Sequence, residues 1–126
     1  MAKILVAEDE KDIRELIVFS LTYAGFDVVA AIDGQDAVDK ALEVMPDLIM
    51  MDVRMPRMTG YEACIRLKAI DEVKDIPVVI LSAKGQESEI QTGLDAGAYE
   101  YILKPFAPDE LIQRVKDIVA KLPTVH

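Results

Sequence analysis

The sequence predicts an α/β fold: a doubly wound, five-stranded parallel sheet with helices on both faces. Apolar runs and amphipathic helical stretches alternate five times along the 126 residues, the pattern of right-handed β-α-β crossovers. The runs at residues 4–7, 48–51 and 78–81 are also uninterrupted, as in strands covered on both faces, where half-exposed strands would alternate. These runs end in acidic or hydroxyl residues, and open parallel sheets bind ligands at the carboxyl ends of their strands.

Each element has a local reason. The first strand spans Lys3 to Ala7 and ends in Glu8-Asp9-Glu10. A helix follows over 11–24, with Ile13, Leu16, Ile17, Leu21 and Ala24 on one stripe, acids Asp12 and Glu15 near its start and Gly25 as its stop. Residues 27–31 form a short strand, and Asp33-Gly34 is a turn signal. A helix over 35–44 presents Ala37, Val38, Ala41 and Leu42; Pro46 follows it, and Asp47 opens the central strand. After Asp52 a loop runs past Pro56 through Met58-Thr59-Gly60 to a helix over 61–70, and residues 71–75 make a charged connection. The fourth strand occupies 77–81, with proline at an entry position that strands allow. A weaker helix over 87–96 has Ile90 and Leu94 as its sizeable apolar residues and Gly93 inside; Gly97 ends it. The last strand covers 99–103. The last helix, over 108–121, carries Leu111, Ile112, Val115, Ile118, Val119 and Leu122 on one stripe before Pro123. Residues 1–122 thus read as one domain and 123–126 as a C-terminal tail.

Composition narrows the function. A hydrophobic content of 52% beside 29% charged residues describes a globular chain, not a disordered one. No apolar run approaches a membrane span, and the start lacks the layout of a signal peptide. The lone Cys64 excludes an internal disulfide and suits the cytoplasm; it reads as a small helix residue near the core. With 14 basic against 23 acidic residues, a formal charge of −9, direct binding of nucleic acid is not expected, while a partner with a basic patch would be tolerated.

Asp52 ends the most apolar run of the chain. A single acid there is also compatible with a turn former or a helix cap. Other polar groups shift the balance. If the strand order is 2-1-3-4-5, the first and third strands are neighbours about 4.8 Å apart, and Glu8, Asp9 and Asp52 share a pocket, with Ser82 and Lys104 at the next two strand ends. Crowded carboxylates call for a cation, and hard oxygen donors suit Mg²⁺. No histidine or second cysteine stands near enough for zinc, and neither a dinucleotide fingerprint nor a P-loop is present. A nucleophilic carboxylate, a metal, a hydroxyl and an ammonium fit transfer of a phosphoryl group onto Asp52.

Five segments in order, Ile4-Leu5-Val6-Ala7-Glu8-Asp9-Glu10, Met51-Asp52-Val53-Arg54-Met55-Pro56-Arg57-Met58-Thr59-Gly60, Ile80-Leu81-Ser82-Ala83, Tyr101 and Lys104-Pro105-Phe106, resemble the receiver domain of bacterial two-component response regulators, including the chemotaxis regulators. The resemblance spans essentially the whole chain and supplies the flavodoxin-like strand order 2-1-3-4-5. It implies that Asp52 is the phosphoacceptor and that Glu8 and Asp9 are the acidic pair, Asp9 binding Mg²⁺ directly and Glu8 through a water. The Arg54 carbonyl would be a further ligand. Lys104 would serve the phosphoryl group, with a cis peptide to Pro105, while Ser82 and Tyr101 would switch together. The face of the fourth helix, last strand and last helix would then change shape. Arg54 and Lys84, two residues after the phosphoacceptor and after the hydroxyl, would flank the approach of hydrolytic water and modulate the lifetime of the phosphorylated form.

By the same resemblance, the partners are a sensor histidine kinase or phosphotransfer protein and a downstream protein target. Catalysis is confined to the chain's own phosphorylation and dephosphorylation. A subfamily with DNA-binding output domains pairs through acid-rich residues of the last strand; here residues 97–101 contain one acid, Glu100. A monomer or weak homodimer is therefore expected. The chain ends just after the last helix, as a stand-alone receiver or one cut at a linker would. Two other readings are a phosphorylation-independent module, which missing acids or a missing Lys104 would have signalled, and a phosphatase attacking through Asp52, which lacks a second acid two residues later.

Overall fold

The computed structural model describes residues 2–83 and 85–122. Five strands, β1 (Lys3–Ala7), β2 (Asp27–Ala31), β3 (Leu48–Asp52), β4 (Val78–Ser82) and β5 (Glu100–Leu103), form one sheet. Its order is β2-β1-β3-β4-β5 and every pairing is parallel. The helices are α1 (Lys11–Tyr23), α2 (Gly34–Val44), α3 (Gly60–Lys68), α4 (Glu87–Asp95) and α5 (Pro108–Ala120). This is the flavodoxin-like architecture the sequence predicts, with element ends differing by a residue or two. Pro77 shows why. It has no N–H for the ladder, yet its carbonyl accepts from Ile49 N at 3.0 Å, so the strand starts one residue later while Pro77 still takes part.

The uninterrupted runs divide between two faces. Leu5, Ala7, Ile49, Met51, Val78 and Ile80 pack with the α2 and α3 residues Ala37, Val38, Ala63, Cys64 and Leu67. On the other face Ile4, Val6, Leu48, Met50, Val79 and Leu81 pack with Ile17 and Leu21 of α1 and Leu111, Val115 and Ile118 of α5. Every residue of β3 and β4 is buried, as double coverage requires. Cys64 is a buried core residue whose thiol pKa is raised by burial. Among the described residues, no helix is long and apolar enough to cross a membrane.

The helical stripes are narrower than the sequence implies. Leu16, Leu42 and Leu94 are 46%, 41% and 43% exposed. Leu16 and Leu42 stand at the margins of their stripes, each about a quarter turn from the buried neighbour in sequence, Ile17 and Ala41, at the ordinary helical pitch, and the sheet covers a helix from one side. Pro123, read as the stop of the last helix, lies outside the described residues.

Local chemistry closes the ends that matter to the strand-end rim. Asp33, read as part of a turn, is the N-cap of α2 and accepts from Asp36 N at 2.8 Å. Met45 takes the left-handed conformation (φ 49°) to end α2 ahead of Pro46. Asp47 anchors β3 to β1: Lys3 N donates to its carboxylate and its own N–H to Lys3 O, both at 2.8 Å. Thr59 and Glu62 form a capping box at the start of α3, each side chain accepting from the other's backbone N–H at 3.2 Å. Thr59→Ala should therefore destabilise the chain by about 1 kcal/mol, and Thr59→Ser should restore most of the loss; urea midpoints of the three proteins check this.

Candidate functional site

Sheet register brings the rim residues together. Ala7 is level with Met51, which puts Glu8 beside Asp52; Asp52 is level with Leu81, and Ser82 with Leu103. Asp9, Asp52, Arg54, Ser82 and Lys104 all line one cleft of about 480 Å³. Glu8, Asp52 and Ser82 are buried, whereas Asp9 is exposed at the mouth. Carboxylate oxygens of Glu8, Asp9 and Asp52 lie within 4.8 Å of one another.

The Lys104 ammonium joins this cluster from the end of β5. Its Nζ donates to Glu8 Oε1 at 2.8 Å and to Asp52 Oδ1 at 2.7 Å. The peptide from Lys104 to Pro105 is cis. Burial works against the charged ammonium, but hydrogen bonds and charge from Asp52 and Glu8 outweigh it and raise the Lys104 pKa. Glu8 goes the other way for a paired acid. Its burial costs the charged form more than the Lys104 hydrogen bond returns, and the nearby Asp52 adds repulsion, so its pKa is raised too. A cluster of three acids sharing one ammonium is under-compensated, and its oxygens are hard donors. That set fits a divalent cation such as Mg²⁺.

Arg54 is exposed on the loop after β3 and lines the cleft. Lys84 lies outside the described residues. Tyr101 is half-buried on β5, and its hydroxyl is 3.2 Å from that of Tyr61 on α3. Tyr61 also donates toward Glu89 on α4, 3.2 Å from the carbonyl and 3.1 Å from the carboxylate. Burial, then the hydrogen bonds to Tyr101 and Glu89, push the Tyr61 phenol above its ordinary pKa. Gly93 gives the Tyr101 ring its place, since a Cβ there would lie 2.9 Å from Tyr101 Cδ2. The glycine that reads as a weakness of α4 thus also serves this contact.

The chain belongs to the response regulator receiver domain family. The family's model, described as "Response regulator receiver domain", matches residues 4–116. The chain is similar to the phosphate regulon transcriptional regulatory protein PhoB of Escherichia coli, 42% identical over 120 residues, covering 95% of this chain and 52% of that protein. It is also similar to the alkaline phosphatase synthesis transcriptional regulatory protein PhoP of Bacillus subtilis, 40% identical over 119 residues, covering 94% of this chain and 49% of the relative. It spans about half the length of these curated relatives. Among solved structures, chemotaxis response regulator CheY4 of Vibrio cholerae superposes with a TM-score of 0.89 at 33% identity, covering 94% of this chain and 98% of the other.

Residues the sequence reading did not single out complete this receiver's site. Arg14 Nη1 donates to the carbonyls of Glu8 at 2.8 Å and Asp9 at 3.3 Å, steadying the backbone of the acidic pair. Its place one helical turn after Glu10 was the available signal. Tyr61 had none, because its partners are distant in sequence.

Glu8 yields a pH test. Because its folded pKa is raised, the folded chain binds more protons than the unfolded one between the ordinary glutamate pKa and the raised value. Its contribution to stability is therefore fully present below the unfolded pKa and is lost as pH rises through the folded one. Stability of the metal-free wild type relative to Glu8→Gln should increase as pH falls across that window. Urea unfolding of both proteins over a pH series measures it; a flat difference would mean that burial does not dominate at Glu8.

Proposed function

We propose that Asp52 accepts a phosphoryl group from a phosphohistidine on a sensor kinase or phosphotransfer protein, with Mg²⁺ bound in the acidic cleft, and that the chain signals through its α4-β5-α5 face. The observation that carries this reading is the Lys104 ammonium bridging Glu8 and Asp52 inside the cluster of three acids. Asp9 and Asp52 would hold the cation directly, Glu8 through a water, with the Arg54 carbonyl as a further ligand. When bound, Mg²⁺ supplies charge neutralisation at the phosphoryl oxygens.

The chain's own residues do the rest. An Asp52 carboxylate oxygen attacks phosphorus, the P–N bond to histidine breaks and its electron pair returns to the imidazole, leaving an acyl phosphate on Asp52. Lys104 keeps one hydrogen bond to Glu8 and turns the other to the phosphoryl group. Ser82, buried beside Asp52, donates its hydroxyl to another phosphoryl oxygen. The new group carries roughly 1.5 to 2 negative charges by analogy with other phosphorylated side chains. Ser82's movement toward it frees space for Tyr101, whose turn would break the contact with Tyr61 and loosen α4. Such chemistry makes the chain a substrate of its own catalysis and not a turnover enzyme.

The acidic balance of 14 basic to 23 acidic residues disfavours direct contact with nucleic acid by this chain. The ion pair between Arg114 and Glu100 on the signalling face leaves the single acid of β5 satisfied within one chain, which supports a monomer or weak homodimer. The cytoplasm, where kinase and phosphodonor meet, is the proposed compartment.

Acetyl phosphate with Mg²⁺ should add one phosphoryl group, seen by intact mass. EDTA or Asp52→Asn should abolish the addition, and equal labelling of Asp52→Asn would refute the assignment. Lifetime offers a separate check. Arg54 and Lys84 are both cationic and, held over the phosphoryl oxygens, would obstruct water. Replacing both by alanine should accelerate decay by about tenfold, the equivalent of about 1.4 kcal/mol; an unchanged decay rate in the double variant would make them bystanders.

A further inference from the structure

Behind the acidic cleft, the turn into α2 and the loop after β3 are joined by a charge pair that the chemistry above does not use. Asp33 is 4% exposed. Besides capping α2, its carboxylate meets the guanidinium of Arg57. The Asp36 amide and then Arg57 hold this carboxyl below the ordinary aspartate range, so it stays charged near neutral pH. Arg57 sits in the loop between β3 and α3 with a left-handed backbone (φ 68°). Side chains with a Cβ disfavour that conformation and keep it where their surroundings impose it.

Each half of the pair leads to one wall of the cleft. On the first side, Glu8 N donates to Ala31 O at 3.1 Å, so the end of β2 that leads into the Asp33 turn backs the buried acid. On the second, Arg57 is three residues from Arg54, which lines the cleft. The loop's other anchors are Met55 and Met58 in the core and the hydrogen bond from Gly60 N to Val53 O at 2.9 Å. The two segments also meet as backbone: a Cβ at Gly34 would lie 2.6 Å from Met58 O. An exposed arginine paired with an exposed acid would add little. Here the acid is buried and the arginine's own backbone is held out of its preferred region.

We propose that Asp33 and Arg57 form a latch that positions the acidic cleft for a divalent cation, tying the loop that bears Arg54 to the turn after the strand end that backs Glu8 and so setting the distance between the two walls. Neither residue touches the cation or the phosphoryl group; both are positioning residues. The inference rests on the phosphoacceptor reading, because it assigns the loop's placement to that site's cation.

The test is Mg²⁺ titration of the full chain, followed by calorimetry or amide shifts, for wild type, Asp33→Asn, Arg57→Asn and the double variant. Asparagine caps a helix as aspartate does and tolerates a left-handed backbone. Each substitution therefore removes the charge while keeping the cap or the turn. Each single variant should bind Mg²⁺ about threefold to tenfold more weakly, short of the roughly 10- to 100-fold seen when a direct partner of a metal ligand is removed. The double variant should be no weaker than the weaker single, since both remove one contact. Wild-type affinity in either folded single variant, or losses that multiply in the double, would overturn the latch. If Asp33→Asn fails to fold by circular dichroism, Arg57→Asn alone decides, because its guanidinium is exposed and its loss uncovers no core. A wild type that binds no Mg²⁺ and takes no phosphoryl group from acetyl phosphate overturns the underlying reading as well. Normal wild-type phosphorylation beside unchanged variants overturns the latch alone.

Discussion

Two buried carboxylates on adjacent strands, Glu8 and Asp52, would repel each other in a site with little water to screen them. One ammonium, reaching across the sheet edge from Lys104, holds them at 2.8 and 2.7 Å. The arrangement depends on strand order. Glu8 follows β1 and Asp52 ends its neighbour β3, so the acids are side by side; β5 lies beyond β4, so a long side chain is needed to reach them. Lysine supplies that length and a compact charge with several donors. Removing the ammonium would leave two buried charges without their partner, which costs far more than an exposed pair is worth.

The same balance explains how the site can respond. Glu8 remains under-compensated even with Lys104 bound to it, as its raised pKa records. A site in that condition gains from a further cation, and a cation there makes room for a phosphoryl anion. On the proposed function, the ammonium would then exchange one carboxylate for the incoming oxygen without becoming unpaired. Fold stability and chemical readiness thus depend on one set of charges.

Around that centre, two contacts join neighbouring elements. Tyr61 holds Tyr101 and Glu89 together, joining α3, β5 and α4 through hydroxyl and carboxylate groups, and Gly93 leaves the ring its place. Asp33 and Arg57 join the α2 cap to the loop after β3. On the proposed function, the first contact belongs to the face that would change and the second to the wall that would stay in place. α4 suits the changing face because Gly93 is its buried residue and Leu94 is exposed, so little apolar packing resists its movement.

The sequence by itself determined the strands, the helices and the chemistry of the strand ends. Runs such as Leu48–Asp52 are apolar throughout because both faces of a central parallel strand are covered, and that pattern is written locally. Acids and a lysine placed just after such runs must emerge at one sheet edge, so Glu8, Asp9, Asp52, Ser82 and Lys104 were legible as a group once the family's strand order was supplied. Helix margins were less legible: Leu16, Leu42 and Leu94 are apolar yet exposed, because composition cannot say how wide a face the sheet will cover. Tertiary structure alone decided that one ammonium binds both Glu8 and Asp52, that Asp33 pairs with Arg57, and that Tyr61 meets Tyr101. These partners are 96, 52, 24 and 40 residues apart in sequence. No periodicity relates such positions; strand order, register and loop conformation bring them within hydrogen-bonding distance, and electrostatics acts on that distance, not on separation along the chain.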